Sequence, residues 1–136
     1  MNWKLLLLLS LLGLAMGLAT VSLVGQRIEP ACWLVVFVFC AWMIVRQAPG
    51  RFFLHGFVLG LLNCVWVTGA HVLFFNTYMA NHPQMVEMSH KMPFPYHPKW
   101  GMLLMAPFVG IASGIVIGLI TLLVKAIVGR KPAPAV

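Results

Sequence analysis

The stretch from Asn81 to Trp100, NHPQMVEMSHKMPFPYHPKW, gathers His82, Met85, Met88, His90, Met92 and His97. Thioether sulfur and imidazole nitrogen are ligands for a soft ion such as Cu(I) or Ag(I), and methionines three or four residues apart can close around one ion from a single helical turn. With Asn81 as a cap and Pro83 in the first turn, Met85, Met88 and Met92 fall on a common side of a short helix. His82, Met85, Met88, His90 and Met92 are therefore a candidate metal site. The same spacing also describes an amphipathic helix lying on a membrane surface, its methionines among acyl chains and Glu87, His90 and Lys91 in water. Neither C-x-x-C nor any other strong metal motif accompanies the loop.

A second set of polar residues lies within an apolar run, Phe52 to Tyr78, which carries His55, Asn63, Thr68, His71 and Asn76. At 100° per residue Gly56, Gly60, Asn63, Val67, His71 and Phe74 share a stripe, so this helix belongs in the middle of a small bundle. An amide or imidazole inside a span is costly and marks either a pathway or a hydrogen bond between helices. Asn63 reads as interhelical glue, with a pathway role as the alternative. His71 reads either as functional or as wetted by a nearby interface, and His55, one turn from Arg51, as interfacial. A haem between two histidines is disfavoured, because the other three apolar segments contain no histidine.

Enzyme chemistry has little to work with, and no catalytic residue is assigned. The spans hold no carboxylate, and no Ser/His/Asp set, nucleotide loop or H-E-x-x-H occurs. Proton-coupled export through a buried glutamate and thiol oxidation through C-x-x-C are disfavoured for the same reason. Cys32, Cys40 and Cys64 all lie in apolar segments, where a thiol serves as a small packing residue.

The elements that position these residues follow from composition. Of 136 residues 62% are hydrophobic and 8% charged, with mean hydropathy +0.97, which is the composition of an integral membrane protein. Four spans are expected, at about 4–25, 30–46, 52–77 and 100–128, in one all-α, polytopic domain with an outer loop at 78–99 and a disordered tail at 130–136. The N-terminal stretch has features of a secretory signal, but its apolar run continues from Leu5 to Val24, about 30 Å of helix, and is read as an uncleaved first span. Pro30 suits the first turn of the second span, and Pro49-Gly50 ends it.

Three spans carry small-residue faces: Gly13 and Gly17 in the first, Gly56 and Gly60 in the third, and Gly110, Gly114 and Gly118 in the fourth. The pattern G-x-x-x-G-L-x-[TN] recurs at 13–20, 56–63 and 114–121, and reads as helix packing. If packing within one chain needs two of these faces, the third is free for self-association.

The basic residues set the orientation. Lys4, Arg46, Arg51, Lys125, Arg130 and Lys131 lie on one side, and Arg27, Lys91 and Lys99, offset by Glu29 and Glu87, on the other. Both termini are therefore expected in the cytoplasm. The net charge of +7 is spread singly over segment ends, which suits lipid headgroups and disfavours a nucleic-acid partner.

The basic turn Arg46 to Arg51 ahead of Gly56-x-x-x-Gly60, the YMANHP segment from Tyr78 to Pro83, the Met-rich loop, the glycine-studded last span and the Arg130-Lys131-Pro132 ending together resemble a domain-of-unknown-function family of small four-helix bacterial inner-membrane proteins. That resemblance implies a four-helix bundle in the inner membrane and carries over no activity. The first reading of function is a non-catalytic accessory or structural membrane component without cofactor, self-associating or bound to another membrane protein. One alternative is metal handling by the Met/His loop. Another is a small oligomeric channel or transporter with Asn63 and His71 along a path between protomers.

Overall fold

The computed structural model describes residues 1–92 and 97–129. Its architecture is all-α: α1 (Trp3–Ser22), α2 (Glu29–Gln47), α3 (Phe52–Leu73), α4 (Phe75–Asn81), α5 (Pro83–Lys91) and α6 (Pro98–Val128). α1, α2, α3 and α6 are each long and apolar enough to cross a bilayer, and the chain is a multi-pass membrane protein. The 31 residues of α6 make about 46 Å of helix, more than the hydrocarbon thickness, so this helix tilts or projects beyond it. The tail at 130–136 lies outside the described residues.

Prolines place the boundaries. The residue before a proline is driven out of the α region by the ring, and Ala48, His82 and His97 all have extended or intermediate backbone at that position. The expected outer loop is consequently mostly helical: its prolines punctuate α4, α5 and the start of α6. The third span ends at Leu73, short of residue 77, because Phe74 interrupts the helix before α4. His82, not Asn81, precedes α5 at the cap position, and it makes no side-chain capping bond. Asn81 instead donates from Nδ2 to the carbonyls of Thr77 (2.8 Å) and Val21 (3.2 Å), tying α4 to the end of α1. At the turn before α3 the positive φ of 50° falls on Arg51, although Gly50 is next to it.

α3 is the central helix, packed between α1 and α6, while α2 lies chiefly along α6. The α1–α3 contact is parallel, with Gly13 against Asn63, Gly17 against Val67 and Thr20 against His71. The α3–α6 contact is antiparallel, with Gly56 on Gly118, Gly60 on Gly114 and Cys64 on Gly110. Backbones meet directly there: a Cβ at position 56 would come 2.8 Å from the Gly118 backbone, and one at 60 would strike Gly114 harder still. All three glycine faces are thus turned inward, which corrects the expectation of a spare face for self-association. A cluster of Leu5, Leu6, Leu9, Cys40, Ile44 and Leu59 closes the end that bears the termini.

Candidate binding cavity

The opposite end, which carries residues 23–28 and 74–92, is loosely filled and holds the polar residues. A cavity of about 510 Å³ lies between the halves of α2, α3 and α6 nearest that end, with α5 laid across it. The sequence of each wall explains it. Gly56 and Gly60 bring α3 and α6 into contact near the termini and Cys64 Sγ still donates to the Ala106 carbonyl at 3.0 Å, whereas beyond it Val67, Thr68 and His71 of α3 and Met102, Met105 and Val109 of α6 line the open space. Glu29, Trp33 and Phe37 of α2 close one side, and Met85, Met88 and Met92 come down from α5.

Asn63 borders the cavity at the α1–α3 contact, its amide turned against Gly13. It is 4% exposed, and neither its Oδ1 nor its Nδ2 has a hydrogen-bond partner among the described residues. The glue reading is therefore corrected, since Asn63 bonds to no neighbouring helix. Its carbonyl oxygen lies where a side chain at Gly13 would begin, so glycine at 13 is what lets Asn63 fit. A buried amide without partners carries the desolvation penalty of its polar atoms and is a rare feature of a packed interior.

His71 stands one side of a column of stacked rings. Its centroid is 3.9 Å from that of Tyr78, and Tyr78 is 4.2 Å from His82. Thr20 Oγ1 lies 2.8 Å from His71 Nε2, and the same hydroxyl donates its one proton to the Gly17 carbonyl at 3.0 Å. With the hydroxyl proton on the Gly17 carbonyl, Nε2 is the donor to Thr20 and the lone pair is on Nδ1. At the far end of the column His82 Nδ1 donates to the Tyr78 carbonyl (2.9 Å), and His82 Nε2 lies 3.4 Å from Glu29 Oε2. That distance is within ion-pair range but outside hydrogen-bond geometry. Because Nδ1 already donates, Nε2 attracts the carboxylate only when it too carries a proton. Trp33 Nε1 donates to Glu29 Oε1 at 3.3 Å. Burial, and secondarily the Glu29 charge, push the Tyr78 phenol up to about 12.

The expected loop site does not assemble as written. Met85, Met88 and Met92 line the cavity, but His82 is turned into the ring column at 1% exposure and His90 and His97 are exposed, so none of the three joins the methionines. Two further methionines, Met102 and Met105, face them from α6. Their i, i+3 spacing was visible in the sequence, but only the fold shows that they line the same cavity as the α5 methionines. Glu29 also escaped notice, because it opens a span and reads there as an orientation charge. Asn63 and His71 lie at the contact of α1 and α3 within one chain, which corrects the expected path between protomers. His55, one turn from Arg51, is covered by the protein at 1% exposure: its Nε2 accepts from the Asn2 backbone N–H and its Nδ1 donates to the Arg51 carbonyl, both at 3.0 Å.

Compared with family models, curated proteins and solved structures, the chain matches none.

Proposed function

We propose that this chain is a non-catalytic accessory protein of the bacterial inner membrane, with both termini in the cytoplasm, that takes a small ligand into its cavity from the extracytoplasmic side. The basic residues Lys4, Arg46, Arg51, Lys125, Arg130 and Lys131 support the orientation. The single observation that carries the binding role is Asn63, whose unpaired amide is buried beside an apolar cavity. Cavities lined by apolar groups with a few placed polar atoms are the usual form of a ligand site, and an unpaired donor and acceptor next to one are groups that a ligand could satisfy.

The test is the thermal stability of Asn63→Leu in detergent. Leucine has nearly the shape of asparagine and no polar atoms to desolvate. If the amide is kept for a ligand, the variant without ligand melts at or above the wild-type temperature, gaining up to about 1–3 kcal/mol. A substantially lower melting temperature would mean that Asn63 holds the helices together, and the reading would fail.

A further inference from the structure

Resting on the reading above, we infer that the ligand of the cavity is a soft monovalent metal ion, Cu(I) or Ag(I), held by His71 Nδ1 and by the thioethers of Met85, Met88, Met102 and Met105. α5 and α6 each contribute a pair of methionines three residues apart to the lining, and α3 contributes the imidazole. Of nine methionines in the chain, these four and Met92 line one cavity, so the thioethers are concentrated and not scattered through the core as gap fillers. Met92 Sδ occupies the space over Gly101, 2.8 Å from where a Cβ would stand, and is engaged in packing. The other four are free to swing on three rotatable bonds each.

The orientation of His71 is the second, independent observation. Thr20 engages Nε2, and Nδ1 has no hydrogen-bond partner among the described residues, so Nδ1 is the ring nitrogen left for a ligand in a residue that lines the cavity. A hydrogen bond from the non-ligating ring nitrogen is the usual device that orients a metal-binding histidine. Among the described residues no three His, Cys, Asp or Glu side chains converge as a Zn²⁺ site requires, so the donor set is dominated by sulfur and selects a soft ion. Charge agrees with this choice: the ligands are neutral, and the one carboxylate on the cavity, Glu29, balances a single positive charge.

The experiment is a Cu(I) titration of the purified full chain in detergent, under ascorbate, against a competing chromogenic Cu(I) chelator, repeated with Ag(I). It is done in a Cys32→Ser, Cys40→Ala, Cys64→Ser background so that thiols do not contribute. One ion per chain is expected. Changing Met85, Met88, Met102 and Met105 together to Leu keeps side-chain volume and should weaken binding on the order of 100-fold. His71→Leu should weaken it roughly 10-fold or more, and His90→Ala with His97→Ala should leave it unchanged. Binding that survives the methionine changes, or that is lost with His90 and His97, overturns the assignment. Absence of Cu(I) binding while Asn63→Leu retains or gains stability would overturn the metal inference alone. A destabilised Asn63→Leu would overturn the cavity reading beneath it.

Discussion

At the scale of single residues, several polar side chains buried at the end of the molecule away from the termini hold one another in place. Thr20, His71, Tyr78, His82 and Glu29 form a continuous column across α1, α3, α4 and α2. Thr20→Val keeps shape but removes the acceptor for His71 Nε2. It should cost about 0.6–2 kcal/mol in a denaturation experiment in detergent, the range measured for hydrogen bonds between helices in membranes. The same change frees the imidazole to turn, so Cu(I) affinity should fall without any ligand being removed. Tyr78 gives a pH signature. Its folded value of about 12 lies above the ordinary phenol near 10, so the contribution of this residue is complete below about pH 10 and is lost as pH rises toward 12. Melting temperatures recorded over that interval should decline more steeply for the wild type than for Tyr78→Phe.

At the scale of elements, glycine contacts decide how the helices stand. Gly60→Ala puts a Cβ into the Gly114 backbone, where nothing can move aside, and should destabilise the fold by about 3 kcal/mol or more, as other core changes that force backbone shifts do. Gly69 lies on the same helix with nothing within 4 Å of a Cβ, so Gly69→Ala should be neutral or stabilising by up to about 1 kcal/mol. Thermal unfolding of the two variants side by side checks both. Gly114→Ile should likewise break the chain's own α3–α6 packing, since no glycine face points outward. Much of this was legible in the sequence: four apolar spans, their polarity, the central place of α3 and the small-residue faces all follow from composition and period. What was not legible is which faces pair. Gly13, Gly56 and Gly114 head the same local pattern, and a pattern that permits close approach does not say to what. The same ambiguity hid Met102 and Met105, whose spacing inside a long apolar helix resembles that of lipid-facing residues until α5 is laid against them.

At the scale of the whole molecule, the two ends have different jobs. The terminal end is closed by leucines, by the α3–α6 backbone contact and by basic side chains over aromatic rings, with Arg46 4.8 Å from the Trp42 ring centre and Lys125 4.7 Å from that of Phe52. The opposite end keeps about 510 Å³ open beside α5, which is tied to its surroundings by Gln26–Gln84, with the His82–Glu29 contact just ahead of its first turn. The proposed filling of this cavity from the outer face is tested by access to it from each side of the membrane. Cys64 reports on it directly, because its thiol lines the cavity while Cys40 is sealed in the core. The decisive measurement is labelling of Cys64, in a Cys32→Ser, Cys40→Ala background, with a small membrane-impermeant cationic methanethiosulfonate. The reagent is applied to right-side-out spheroplasts and to inside-out vesicles. The account predicts modification from the outer face, slowed by filling the cavity with Val109→Trp, and none from the cytoplasmic face. Modification from the cytoplasmic face alone, or from neither, would contradict it.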